Sequence, residues 1–145
     1  MRKSYIVSAK RTAIGSFLGG LATVKPKDMG SAVVKALLED ANVAPENVDE
    51  VICGNVLGAG LGQNIGRTIA LEAGIPETVC AHSVNMVCGS GLRTVMEAVM
   101  SIQCGFNDIV VAGGVESMSG APYLIPANTR TGNKMGNFTV VDHMI

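Results

Sequence analysis

One cysteine in this sequence stands where a side chain could act as a nucleophile. Cys88 lies between a short apolar run and an amphipathic stretch, within the segment 82–93, HSVNMVCGSGLR. This pattern predicts that Cys88 follows a strand and opens a helix, where unpaired N–H groups and the helix dipole favour negative charge. A thiol there should carry more of the nucleophilic thiolate at neutral pH. Its backbone N–H could also stabilise a developing oxyanion.

Small residues follow this cysteine directly and could support such a site. Gly89, Ser90 and Gly91 come next in the chain, and glycines allow a substrate to approach the backbone closely. Met86 is near enough in sequence to line a pocket beside the thiol. Taken without context, however, a cysteine at the start of a buried helix is more often a packing residue than a catalyst. Both interpretations therefore stand at this point.

The other cysteines and the two histidines have simpler interpretations. Cys53 and Cys80 lie in predicted strands and Cys104 lies near a predicted helix end, so we expect all three to pack. His82 should be a hydrogen-bonded core or interface residue, and His143 should lie in a solvated loop. Since no CxxC pair occurs and neither histidine completes a metal-ligand spacing, we expect no metal site.

Composition and charge exclude several classes of protein. The 145 residues carry 11 basic and 12 acidic side chains, so nucleic acid is not an expected partner. Hydrophobic residues make up 48%, which argues against disorder. No apolar run reaches the roughly 18 residues that would span a membrane. The basic N-terminus lacks the apolar stretch of a secretory signal, so we expect a cytoplasmic protein with reduced cysteines.

Short apolar runs alternate with amphipathic stretches, which predicts an α/β fold. The predicted strands cover 5–9, 49–56, 79–84 and 108–112, and the predicted helices cover 27–42, 64–73 and 89–103. This order favours a mainly parallel sheet covered by helices. Gly113 and Gly114 should close the last strand, and Glu116 should make a structural hydrogen bond. We expect one domain over 1–116 and the start of an insertion over 117–145, where no periodicity is visible.

Several segments of this chain resemble one enzyme family. Residues 85–91, NMVCGSG, resemble the acyl-enzyme signature of the thiolases, the acetyl-CoA C-acetyltransferases. Three further segments, 4–12, 62–67 and 113–119, are similar to the family's opening strand, second-helix entrance and a segment typical of thiolases. The resemblance is collinear over the whole chain and is strongest to short-chain bacterial thiolases of the biosynthetic type.

The resemblance implies a fold and an activity. The fold would be the first βαβαβαβ half of a layered αβαβα arrangement, followed by the start of a loop domain that helps to join dimers into tetramers. Cys88 would take an acetyl group from acetyl-CoA as a thioester, with its N–H as an oxyanion donor and residues 89–91 as the supporting turn. A second acetyl-CoA would then give acetoacetyl-CoA and CoA, or the reverse. CoA thioesters would be the substrates, without a separate cofactor.

This chain also departs from the family pattern. The Gly-His-Pro segment of the family's base histidine and the Cys-x-Gly-Gly-Gly segment of its second cysteine do not occur here. A nucleophile without its base loses most of its rate, so we expect little turnover from this chain alone. One alternative is a truncated or split chain that acts as an assembly module and needs a C-terminal half. Another is a different condensing enzyme of the superfamily, against which the segment 113–119 speaks.

Overall fold

A three-stranded parallel sheet forms the centre of the molecule. The computed structural model describes residues 2–132 and 134–145. Its strands are β1 (Glu50–Gly54), β2 (Cys80–Val84) and β3 (Val110–Gly114), in the order β2-β1-β3. The strands pair in register from Glu50, which lies opposite Cys80 on one side and Val110 on the other. The predicted parallel α/β architecture is therefore confirmed.

Three helices cover the two faces of this sheet. They are α1 (Pro26–Ala41), α2 (Ile65–Glu72) and α3 (Ser90–Cys104), each within two residues of its predicted bounds. Helices α1 and α2 pack against each other and share one hydrophobic core with the sheet, whereas α3 packs on β1 and β3 from the other face. The core residues are Val34, Leu38, Val48, Val51, Cys53, Ile65, Ile69, Ala70, Ala73, Ile75, Val79 and Val111.

Local signals set the ends of α1 and α2. The α1 helix begins at Pro26 and ends before Asn42, which adopts a left-handed conformation with φ +52° and donates its N–H to the Glu39 carbonyl. This end confirms the predicted stop, since asparagine tolerates that conformation. Asn64 caps α2 by accepting a 3.1 Å hydrogen bond from the Arg67 N–H.

The first predicted strand does not form. Residues 5–9 join no ladder in the structure, and Tyr5, Ile6 and Val7 are 74%, 81% and 75% exposed. The segment is instead held to α1, where Ser8 and a neighbouring lysine donate 2.6 Å hydrogen bonds to Asp40. These bonds lower the pKa of the Asp40 carboxyl. A β-branched run predicts an extended backbone, but its pairing depends on a neighbouring strand elsewhere in the chain.

One further prediction about the strands is wrong. β3 continues through Gly113 to Gly114, because both glycines pair with the end of β1 and the ladder outweighs their turn preference. The segment after 116 is not wholly irregular. It contains β4 (Tyr123–Leu124) and β5 (Val141–Asp142), which pair antiparallel.

Short irregular elements complete the structure. Two 3-10 helices cover Pro45–Asn47 and Ala127–Thr131.

In the part of the chain that the structure describes, no helix has the length and apolar character needed to cross a membrane.

Candidate active site at the start of the third helix

Cys88 lies in the tight turn that connects β2 to α3. The strand ends at Val84, and the helix begins at Ser90 with Gly89 as its N-cap. Cys88 is exposed and forms no disulfide. The position of this cysteine, after a strand and at the entrance to a helix, is therefore the predicted one.

Hydrogen bonds from Ser90 and Asn85 close this turn. The Ser90 hydroxyl accepts a 2.9 Å hydrogen bond from the Met86 N–H and donates one of 2.6 Å to the Val87 carbonyl. The Asn85 side chain accepts a 3.0 Å bond from the Val87 N–H. The Gly89 N–H donates to the Met86 carbonyl at 3.0 Å. Ser90 is only 5% exposed, so its side-chain hydrogen bonds stabilise the turn from inside the protein.

The residue before the cysteine has a strained backbone. Val87 has φ +50°, in the left-handed region that a β-branched side chain rarely adopts. A conformation of this kind costs about 1–3 kcal/mol and persists only where the surroundings impose it, which is often at active sites. Here the bonds from Asn85 and Ser90 impose it.

The backbone around the thiol can receive negative charge. Within residues 2–132 and 134–145, the Cys88 N–H donates to no protein acceptor. It lies beside the first turn of α3, a helix of 15 residues whose N-terminal dipole favours anions. The turn therefore combines an accessible sulfur with a donor that could face a developing oxyanion.

Gly54, a residue that the sequence did not single out for this site, allows α3 to start where it does. A Cβ at Gly54 would lie 2.8 Å from the Ser90 carbonyl carbon and 2.9 Å from the Gly91 nitrogen. Both atoms belong to the backbone and cannot move aside cheaply. The signal that could have identified Gly54 is its place near the end of a predicted strand, opposite the strand that leads into the cysteine turn.

The predicted pocket residues surround the turn in different ways. Met86 is 54% exposed, and its terminal methyl lies 2.8 Å from where a Cβ of Gly89 would be. A Cβ at Gly91 would meet no atom of the described residues within 4 Å. Gly89 thus makes room for the Met86 side chain, whereas Gly91 borders open space through which a ligand could approach.

The remaining cysteines differ in their surroundings. Cys53 is buried, as predicted, and burial raises the pKa of its thiol to about 11, with a smaller contribution from the charge of Glu116. Cys80 and Cys104 are exposed, so the expectation that they pack is wrong. Cys80 is the first residue of β2 and Cys104 is the last residue of α3. Side chains at the ends of elements reach solvent even where they continue a local apolar pattern.

Among the described residues, no side-chain hydrogen bond or ion pair joins either histidine to the cysteine turn. His82 lies 3.4 Å from carboxylate oxygens of both Glu50 and Glu97. His143 lies in the turn after β5, where it is half-buried, and its Nε2 atom accepts a 3.3 Å hydrogen bond from the Ala59 N–H. In the described ranges, no three His, Cys, Asp or Glu side chains form a group that could hold a metal ion.

Glu116 makes the structural hydrogen bonds that the sequence predicted. Its carboxylate accepts from the Val56 and Leu57 N–H groups at 3.0 and 3.1 Å, and from the Asn55 side chain at 2.8 Å. These bonds fasten the glycine-rich loop after β1 to the end of β3.

Comparisons with known proteins agree with the resemblance seen in the sequence. The family described as "Thiolase, N-terminal domain" matches residues 4–145. The acetyl-CoA acetyltransferase of Escherichia coli K12 is 52% identical over 142 residues, which cover 98% of this chain and 36% of the relative. The cytosolic acetyl-CoA acetyltransferase of Mus musculus is 53% identical over 140 residues, with 97% and 35% covered.

A solved structure shows the same fold. The Acat5 thiolase of Ascaris suum, crystallised in complex with coenzyme A, is 38% identical and superimposes with a TM-score of 0.91. The alignment covers 97% of this chain and 36% of that thiolase. The chain thus spans about a third of the length of the proteins it matches.

Proposed function

Since this chain belongs to the thiolase family, we propose that it is the N-terminal part of an acetyl-CoA acetyltransferase. The whole enzyme would condense two acetyl-CoA molecules to acetoacetyl-CoA and CoA, and would catalyse the reverse thiolysis. The names of the relatives support this substrate class. The bound coenzyme A of the Ascaris suum thiolase supports it as well.

In this proposal Cys88 is the catalytic nucleophile. Its thiolate sulfur attacks the carbonyl carbon of acetyl-CoA, and the negative charge that develops on the carbonyl oxygen is met by the Cys88 N–H. Collapse of the tetrahedral intermediate forms the acetyl thioester on Cys88 and releases the CoA thiolate, which takes a proton to become CoA. Ser90 and the glycines on either side hold the turn in place.

The proposal extends to substrates, assembly and location. CoA thioesters are the substrates and no separate cofactor is needed. The base that deprotonates the second acetyl-CoA comes from a segment outside these 145 residues, so this chain alone should have little or no turnover. The protein would work in the cytoplasm as a homo-oligomer, a dimer or a tetramer, with residues 117–145 contributing to the loop domain. The cytosolic name of the mouse relative supports that location.

One observation carries the proposal: an exposed cysteine in a strained, hydrogen-bonded turn directly before a helix. The experiment uses the protein as its natural gene produces it, incubated with acetyl-CoA. We expect mass spectrometry to find one acetyl group on the peptide that contains Cys88. The C88S variant should remain unmodified by thioester formation, whereas C80S, which alters another exposed thiol, should be acetylated normally. Acetylation independent of Cys88 would refute the assigned nucleophile.

A second candidate function is an assembly module without turnover. A cavity of about 430 Å³ lies between the N-terminal segment, α1 and the strands β1 and β3. Apolar side chains line it, among them Ile14, Phe17, Met29, Val33, Leu37 and Val111. Together with the exposed Tyr5, Ile6 and Val7, this cavity offers apolar surface to further chain, whether covalently continuous or a partner.

A further inference from the structure

His82 lies between two carboxylates that belong to different elements. Its Nδ1 atom is 3.4 Å from Glu50 Oε1 on β1, and its Nε2 atom is 3.4 Å from Glu97 Oε2 on α3. The imidazole itself projects from β2, with 44% of the side chain exposed. One ring therefore spans the distance between the sheet and the helix that follows the cysteine turn.

Each carboxylate is already held on its other oxygen. The Asn107 side chain donates a 2.7 Å hydrogen bond to Glu50 Oε2, and the Arg93 Nε donates one of 2.7 Å to Glu97 Oε1. The Arg93 bond, and to a smaller extent His82, lowers the pKa of Glu97 against the opposing effect of burial. Glu97 is thus ionised at neutral pH, and both carboxylates keep one oxygen turned toward His82.

The protonation state of the ring decides whether both contacts are favourable. A neutral imidazole has one donor and one acceptor nitrogen, and a carboxylate only accepts. A neutral His82 would therefore set a lone pair against one of the two carboxylates. An imidazolium has two donors and a positive charge, so it can donate to Glu97 through Nε2 and attract the Glu50 carboxylate at the same time.

We propose that protonated His82 is a positioning residue that ties α3 to β1 and β2, and that this tie weakens when the ring loses its proton. Glu97 lies in the middle of α3, so the tie acts on the body of this helix. Its existence does not depend on the proposed acyl transfer.

The surrounding charges agree with this assignment. On the other side of β2, Arg67 of α2 donates to the carbonyls of Glu77 and Val79. Arg93 is the positive group on α3 and already pairs with Glu97. The groups recorded within ion-pair distance of the ring are thus the two carboxylates. Since only the charged ring favours both contacts, the tie should stabilise the fold more at low pH than at high pH.

A double-mutant cycle at two pH values tests the tie. The 145-residue chain and its H82Q, E97Q and H82Q/E97Q variants are unfolded in urea at about pH 6 and about pH 8. We expect the pair to change the unfolding equilibrium constant by about threefold beyond additivity at the lower pH, in the range of a half-exposed ion pair. At the higher pH the coupling should disappear.

Two controls keep the test decisive. The chain has a second histidine, so H143Q measures the pH dependence that any histidine loss would cause, and it should leave the coupling intact. A parallel cycle of H82Q with E50Q probes the other carboxylate, should one E97Q variant fail to fold. Equal coupling at both pH values, or none at the lower one in either cycle, would overturn the proposal.

Discussion

At the residue scale, burial distinguishes the surroundings of the cysteine thiols. Cys53 lies in the core of the sheet, where burial raises the pKa of its thiol to about 11, whereas Cys88 lies in solvent before α3. Because the thiolate is the reactive form, these surroundings should dominate reactivity. The exposed Cys80 and Cys104 lack the strained turn and the helix start, so they serve as internal references.

We predict a wide spread of alkylation rates within the native chain. Iodoacetamide at neutral pH should label Cys88 first and Cys53 last, with Cys53 slower than an ordinary exposed cysteine by at least about a hundredfold, given its raised pKa. Peptide mass spectrometry after short exposures measures the four rates.

Unfolding the chain in urea provides the control for this experiment. All four cysteines should then react at similar rates, since the differences come from the fold. If native Cys88 reacts no faster than Cys80 and Cys104, its turn does not activate the thiol.

At the element scale, the cysteine turn depends on how closely α3 approaches the end of β1. Gly54 provides that approach, because its missing side chain leaves room for the backbone of Ser90 and Gly91. A second contact comes from the fully buried Thr94, whose hydroxyl lies 2.7 Å from the Gly91 carbonyl and 3.2 Å from the Gly113 carbonyl. The helix is thus set against both β1 and β3 near its start.

We predict that Gly54→Ala destabilises the protein by about 1–3 kcal/mol, the range of an overpacked core. The new methyl would meet two backbone atoms under 3.0 Å, so α3 and the turn before it must shift. Urea unfolding measures the loss of stability, and the alkylation rate of Cys88 reports the displacement of the turn.

The matched control is Gly113→Ala on the neighbouring strand. A Cβ there would meet no described atom within 4 Å, so the change in stability should be within about 1 kcal/mol. Similar losses for both variants would show that the close approach at Gly54 does not matter.

At the scale of the whole molecule, this chain exposes apolar surface on one side of the sheet. Tyr5, Ile6 and Val7 stand in solvent, and the cavity beside β3 is open to it. A strand at the edge of a sheet carries backbone N–H and C=O groups that pair with no neighbouring strand. Such an edge favours association with another chain.

We predict that the 145-residue chain self-associates as its concentration rises. Sedimentation velocity over a range of concentrations measures this association. I6K places a charge on the exposed N-terminal run and should weaken it. F106K changes an apolar residue of similar exposure in the loop between α3 and β3 and should have little effect. A chain that stays monomeric at high concentration would refute the assembly module.

Much of this architecture follows from local patterns in the sequence. The α1 end at Asn42, the α2 cap at Asn64 and the placement of Cys88 before α3 all rest on signals within a few residues. Helical periodicity and capping are local properties, because the hydrogen bonds of a helix close within one turn. The sequence by itself therefore determined the helices, the β-α order and the candidate nucleophile.

Only the tertiary structure decided which distant groups meet. The run 5–9 reads as a strand but has no partner, and Gly113 and Gly114 read as a turn but continue β3 opposite β1. The contacts of His82 with Glu50 and Glu97 join residues on three elements, and no spacing in the sequence predicts them. Strand pairing and ion pairs are contacts across space, so their formation depends on packing that a local pattern does not contain.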